Sequence, residues 1–150
     1  MPLQSAIEEL RKTHADAQNK YTYFLLAAAG AAIAFAVQKT EGVSLSWWLV
    51  PVALATAAWA GSFYCGCQNL SWVGAAVSAN YALLQLRQGS HPSQPPHPEV
   101  LDAALSGTAT ALGSNIDKAQ AYALWQFRLI VLGAAFFIAW RVLEMWRITK

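Results

Sequence analysis

Two long uncharged segments dominate the first half of the chain. Residues 21–37 read YTYFLLAAAGAAIAFAV, and residues 45–67 read LSWWLVPVALATAAWAGSFYCGC. At about 1.5 Å per helical residue, the first segment barely crosses a hydrocarbon layer of roughly 30 Å, and the second crosses it easily. A helix satisfies the backbone polar groups of a spanning segment in lipid. The pattern therefore predicts two membrane spans, about 21–38 and 45–67, joined as a tight hairpin.

A third apolar segment, LIVLGAAFFIAW, lies between Arg128 and Arg141 and is too short to cross a bilayer alone. Arginine stems can lie along apolar surface while their charged ends reach the headgroups. The predicted third span therefore extends over about 122–146. An alternative with four spans adds residues 71–86, which carry no charge, but it leaves only residues 66–69 for the turn. Three spans are favoured.

Outside these segments, apolar positions recur at spacings of three and four, the pattern of an amphipathic helix. Three such stretches, about 6–20, 68–88 and 99–121, are predicted to extend the spans past the inner face of the membrane and to pack against one another. Residues 89–98, GSHPSQPPHP, contain four of the six prolines. They are predicted to form a Pro-rich linker, because proline removes a backbone donor and restricts the residue before it.

The last long helix has a predicted start of its own. Gly107 and Gly113 interrupt the third amphipathic stretch, and Ser114 precedes Asp117 by three residues, a spacing close to a capping box. The fold prediction is an all-α, multi-pass transmembrane helical bundle with long helices extending past the inner face. Residues 1–150 are predicted to form one membrane domain.

Charge and hydropathy support a membrane location. Charged residues make up 12% of the chain, against about 25% in an average soluble domain, and mean hydropathy is +0.31. The net charge of +2 comes from ten Lys and Arg without a basic stripe, which argues against nucleic-acid binding. With three spans and the N-terminus inside, six Lys and Arg lie inside and four outside, a small bias towards a cytoplasmic N-terminus. The predicted location is a bacterial inner membrane.

The spans offer little for catalysis. Ionisable groups within a membrane mark proton relays and ion paths, and the first two spans contain no Asp, Glu, Lys, Arg or His. Cys65 and Cys67 lie about 200° apart on a helix, so they cannot share a metal there. His91 and His97 in the linker have no evident third ligand. No catalytic residue, metal site or cofactor is predicted.

Small residues at every fourth position let helices approach closely in lipid. The predicted helix-packing residues are Ala28, Gly30, Ala32, Ala34, Ala53, Ala57 and Gly61. Thr56, Ser62 and Tyr64 of the second span are expected to make hydrogen bonds between helices and not to act as nucleophiles. His14 and Asn80 lie in the apolar stripes of the extensions and are predicted to form a buried polar seam that fixes helix register. The expected interface anchors are Trp47, Trp48, Trp125, Arg128, Trp140 and Arg141.

The sequence favours a function that depends on assembly, because three spans bury little surface within one protomer. The first hypothesis is an integral membrane protein that self-assembles into a homo-oligomer and acts as a channel, pore-forming effector or scaffold. The second is a membrane-anchored partner subunit of another membrane protein. The third is a small membrane enzyme or transporter in which His14, Asn80, Arg87 and Asp117 converge at the inner interface. The expected partners are the lipid bilayer and further copies of the chain.

Overall fold

The computed structural model describes the backbone of residues 2–43 and 46–149, and the side chains of residues 13, 16–43, 46–147 and 149. These residues form three long helices and a short 3₁₀ turn, with no strand among them. Helix accounts for 89% of the structure. The all-α prediction is therefore confirmed.

The three helices are α1 (Pro2–Thr40), α2 (Val50–Gln88) and α3 (Pro98–Ile148). α3 alone has 51 residues, and at about 1.5 Å per residue it extends for roughly 75 Å. That length is more than twice the hydrocarbon thickness of about 30 Å. A bilayer crossed by this helix therefore leaves a long helical part outside the hydrocarbon.

The connection from α1 to α2 is shaped by residues suited to helix ends. Gly42 follows α1 with a φ of 75°, a left-handed conformation that costs glycine little because it has no Cβ. Ser46 is in extended conformation, and its side chain accepts a hydrogen bond from the Trp48 amide at 3.4 Å, which caps the 3₁₀ turn Trp47–Leu49. Pro51 is the second residue of α2, where an amide has no intrahelical partner.

All three helices are long and apolar enough to cross a membrane. The mean hydropathy of an 18-residue window is 1.5 within Asp16–Thr40, 1.3 within Trp47–Gln88 and 1.8 within Pro98–Arg147. The four-span alternative needed a turn at residues 66–69, but these residues are helical and belong to α2. Within the described part of the chain, the candidate spans therefore number three.

The predicted break before the last long helix is wrong. α3 runs without interruption from Pro98 through Gly107 and Gly113, so Ser114 is an interior residue and not a helix start. A glycine in a helix interior costs only about 1 kcal/mol relative to alanine. Two such costs are spread over 51 residues, and the flanking turns keep their hydrogen bonds.

The chain divides into two compact units. Unit 1 comprises residues 1–66 and 123–150, and unit 2 comprises residues 67–122. These divisions coincide with the predicted inner ends of the second and third spans. Unit 2 holds the Pro-rich linker and two of the three predicted extensions, whereas residues 6–20 belong to unit 1. The assignment of the whole chain to one membrane domain stays a prediction.

Unit 1 has a core of small and aromatic residues. The buried cluster consists of Ala36, Val52, Ala55, Trp59 and Trp140. The ring centroid of Phe137 lies 5.7 Å from that of Trp59 and 5.4 Å from that of Trp140, with the rings tilted. Aromatic pairs favour such tilted arrangements, because the ring edge is positive and the ring face negative. The alanines let the helices approach closely, and the aromatic rings fill the remaining space.

Candidate functional site

Polar side chains of α2 make buried contacts with the backbone of α3 in unit 1. The Ser62 hydroxyl, fully buried, donates to the Gln126 carbonyl at 2.8 Å. One turn away, the Trp59 indole N–H donates to the Ile130 carbonyl at 3.3 Å. The expected role of Ser62 between helices is thus confirmed. Thr56 instead donates to the Val52 carbonyl of its own helix at 2.9 Å.

Among the described residues, Gln126 has the largest side chain that is less than 2% exposed. This burial was not predicted from the sequence. The Gln126 amide Nε2 donates to the Thr22 carbonyl of α1 at 3.5 Å, which is long for a hydrogen bond. Gln126 therefore contacts α1 through its side chain and α2 through its carbonyl. The signal in the sequence was a lone amide beside an apolar segment, where an unpartnered polar group is costly.

Two glycines make room for these contacts. A Cβ on Gly66 would lie 2.5 Å from Gln126 Nε2 and 2.7 Å from a methyl group of Leu26. A Cβ on Gly133 would lie 2.5 Å from the Trp59 indole nitrogen. Both distances are far inside van der Waals contact, so only glycine fits at either position without movement of the neighbours.

Unit 2 has a buried polar contact of its own. The Asn69 side chain is 6% exposed, and its Nδ2 donates to the Ala119 carbonyl at 2.7 Å. One residue before Ala119, the Lys118 ammonium lies 4.2 Å from the centre of the Trp72 ring, a cation–π contact. Asn69 therefore joins α2 to α3 within unit 2 through a buried hydrogen bond.

The predicted polar seam of His14 and Asn80 stays a prediction. Asn80 is only partly buried in unit 2, in contrast to Asn69. The His14 side chain lies outside the described residues. Arg87 and Asp117, which the enzyme hypothesis placed beside them, are exposed.

The most buried residues of α1 in unit 1 are not the predicted packing residues, although Ala32 packs against the buried cluster, so the predicted packing face stays a prediction. Thr22, Leu25, Ala29 and Ala36 are buried, whereas Ala28, Gly30 and Ala32 are partly exposed and Ala34 is exposed. A Cβ built on Gly30 meets no atom within 4 Å. Small residues occur on several sides of this helix, so spacing alone did not identify the side that packs within the protomer.

On α2, too, the most buried residues are mostly not the predicted packing residues. Val52, Ala55, Trp59 and Ser62 form the buried side of the helix. The predicted residues Ala53 and Ala57 are exposed, and so is Ala60. Gly61 is partly buried, and a Cβ on it would lie 3.3 Å from Leu129. We call Ala53, Ala57 and Ala60 the α2 alanine face.

The predicted interface anchors divide into exposed and buried residues. Trp47, Trp48 and Trp125 are between 48% and 86% exposed, as an anchor in contact with lipid headgroups requires. Arg128 and Arg141 are also exposed, and Arg141 pairs with Glu144 at 2.6 Å. Trp140 differs from these residues: it is 4% exposed and belongs to the unit 1 core, and its place at a membrane interface stays a prediction. Its helical position turns it towards Phe137 and Trp59 and away from the surroundings.

The described cysteines and histidines form no metal site. Cys65 and Cys67 are both free thiols on the continuous helix α2, the first partly buried and the second exposed. His91 Nδ1 accepts a hydrogen bond from the Ser93 amide at 3.1 Å within the linker. Among the described residues, no three His, Cys, Asp or Glu side chains group closely enough to hold a metal ion.

No family model, no curated protein and no solved structure matches the chain. The contacts and exposed surfaces of the helices therefore carry the functional inference.

Proposed function

We propose that this chain is an integral membrane protein that acts by self-assembly, as a channel, pore-forming effector or scaffold, and that two copies pack through the α2 alanine face. The observation that carries the proposal is the exposure of Ala53, Ala57 and Ala60 on a helix apolar enough to cross a membrane. Helices associate in lipid largely by close packing, for which small residues on an uncovered face are suited.

The exposed apolar surface of unit 1 is suited to contact with lipid. Large apolar side chains on all three helices point outwards, with exposures of 69% for Phe24, 46% for Leu54, 44% for Phe63 and 62% for Ile138. In water such an apolar surface is a liability, but in a bilayer it contacts acyl chains. This surface supports membrane insertion of the hairpin and of the C-terminal part of α3.

The spacing of the alanine face favours a left-handed crossing of two α2 helices. Ala57 follows Ala53 by four residues, and Ala60 follows Ala57 by three. With alternating spacings of four and three, the same side of each helix stays in contact with its partner over several turns of a left-handed supercoil. Cys67 lies seven residues beyond Ala60, two turns along the same face, and it is also exposed.

The replacement Ala57→Leu tests the face directly. Because Ala57 is exposed, leucine has room within the protomer, but it holds two α2 helices apart. We expect the association to weaken by on the order of 1 kcal/mol, or about a fivefold rise in the dissociation constant. Native mass in lipid nanodiscs at several protein-to-lipid ratios measures this shift. Ala135→Leu, at an exposed alanine of α3, is the matched control and should leave the mass distribution unchanged.

The two native cysteines provide an independent test. Cys67 lies two turns beyond Ala60 on the same side of α2 as the alanine face. Cys65 is turned about 200° from Cys67 around the same helix. Mild oxidation in membranes should cross-link Cys65→Ala, which keeps Cys67, into a dimer. Cys67→Ala, which keeps Cys65, should stay monomeric on the same gel. Cross-linking through Cys65 alone would assign the contact to another side of α2.

A monomer in nanodiscs at every protein-to-lipid ratio would contradict self-assembly. The exposed alanine face would then be the surface that binds a different membrane protein, which is the partner-subunit hypothesis.

A further inference from the structure

Unit 1 contains a cavity of about 170 Å³ where the connection between α1 and α2 meets the last turns of α3. Ser46, Trp48 and Leu49 form one side of it, and Trp140, Leu143, Glu144 and Arg147 form the other. We call it the connection cavity. It lies at the end of the hairpin, the level at which a bilayer interface is expected if the hairpin crosses the membrane.

The walls of the connection cavity combine aromatic surface with one charge of each sign. Trp140 is buried in its apolar wall, and Trp48 is half exposed. Glu144 and Arg147 lie three residues apart, on the same side of α3. Glu144 Oε2 lies 2.6 Å from Arg141 Nη1, and this contact holds the carboxylate in place. A carboxylate has about four acceptor positions, so it can bind a second cation while paired with Arg141.

The volume of the connection cavity and its position at the end of the hairpin limit the size of the group that can bind there. Sites for drug-sized molecules enclose about 300–1,000 Å³, so this cavity admits a small polar group and not a whole amphiphile. A lipid headgroup fits the limit, because its acyl chains stay outside, along the apolar surface of the helices. An arginine guanidinium binds phosphate groups through paired hydrogen bonds, and indole faces attract cationic amines.

We propose that the connection cavity binds the headgroup of a zwitterionic, amine-bearing phospholipid. The Arg147 guanidinium binds the phosphodiester, and the Glu144 carboxylate binds the ammonium group beside the indoles of Trp48 and Trp140. One cation and one anion in the wall match the two opposite charges of such a headgroup. An anionic lipid without an amine offers no cation to the remaining acceptor positions of Glu144 or to the indole faces, and it therefore makes fewer contacts in the cavity. The proposal rests on the membrane insertion argued above, and it does not depend on self-assembly.

The test uses the full chain in nanodiscs that contain equal amounts of phosphatidylethanolamine and phosphatidylglycerol. Native mass spectrometry counts the lipids that remain bound after release. We expect the wild type to retain the ethanolamine lipid in preference by about fivefold, the effect of roughly 1 kcal/mol. Glu144→Gln should abolish the preference, and Arg147→Gln should lower retention of both lipids. Both side chains lie at least partly open to solvent, so helicity by circular dichroism should be unchanged.

Lys39→Gln is the matched control. Lys39 is an exposed cation in the last turn of α1, and it is not part of the cavity wall. Its replacement removes one positive charge and should leave lipid retention as in the wild type. Equal retention of the two lipids by the wild type would overturn the proposal. A loss in Lys39→Gln as large as in Arg147→Gln would overturn it too, because binding would then follow surface charge. Displacement of the lipid by soluble glycerophosphoethanolamine would assign the site to a free phosphodiester instead.

Discussion

The glycines of α3 differ in what surrounds them, although the sequence presents them alike. A Cβ on Gly133 would lie 2.5 Å from the Trp59 indole, whereas a Cβ on Gly107 or Gly113 would meet no atom within 4 Å. Gly133 is therefore required by packing, because any side chain there displaces Trp59 from the core of unit 1. Gly113 only weakens its helix, since glycine loses more conformational freedom on folding than alanine.

We predict opposite effects for the same substitution at these two sites. Gly133→Ala should lower the free energy of unfolding by about 1–3 kcal/mol, the usual cost of overpacking a core. Gly113→Ala should raise it by about 0.5–1 kcal/mol through helix propensity. Thermal unfolding in a single detergent, followed by circular dichroism, measures both changes. A stabilised Gly133→Ala variant would show that Trp59 does not lie against α3 as described.

The residues of the buried contacts were only partly predictable from the sequence. Ser62 was identified because a hydroxyl in an apolar helix needs a partner, but its partner, the Gln126 carbonyl, lies 64 residues away. Gly66 and Gly133 were not identified, because the need for a missing side chain depends on an approaching neighbour. Spacing along one helix carries no information about that neighbour. The burial of Trp140 was not predicted for the same reason: the cluster that contains it includes Trp59 of α2.

At the scale of the helices, the sequence predicted three apolar spans and several of the helix ends. The linker, the end of α2 and the three apolar helices agree with the structure, because prolines and long uncharged segments are strong local signals. The start of the last helix was wrong at Ser114, where a capping pattern occurs inside a helix. A cap acts only where the backbone leaves the helical conformation, and at Ser114 it does not.

Serine replacements distinguish a true cap from this false one. Ser46 is extended and accepts a hydrogen bond from the Trp48 amide, so Ser46→Ala should lower stability by about 0.5–1 kcal/mol. Ser114 is exposed within α3, so Ser114→Ala should leave stability unchanged or raise it by about 0.5 kcal/mol. Unfolding midpoints of the two variants, compared with wild type in one detergent, decide between these signs. If Ser114→Ala lost as much stability as Ser46→Ala, a helix would begin near Ser114.

At the scale of the whole molecule, three helices that are apolar enough to cross a membrane imply a definite arrangement of chain segments about it. If α1, α2 and α3 each cross once, an odd number of crossings separates the two ends of the chain. The Pro-rich linker, which follows two crossings, then lies on the same side as the N-terminal segment. The small excess of Lys and Arg on that side predicts that it is the cytoplasmic side.

Single cysteines test this arrangement in a chain that carries Cys65→Ala and Cys67→Ala. Thr13→Cys, Ser93→Cys and Thr149→Cys place one thiol each near the N-terminus, in the linker and at the end of α3, at positions that are exposed in the structure. In intact cells an impermeant maleimide should label only Thr149→Cys, because the predicted orientation puts the other two sites in the cytoplasm. After permeabilisation all three should react, which controls for thiol reactivity. Labelling of Ser93→Cys and Thr149→Cys from one side would mean that α3 does not cross the membrane, and the lipid-facing role of its C-terminal half would fail with it.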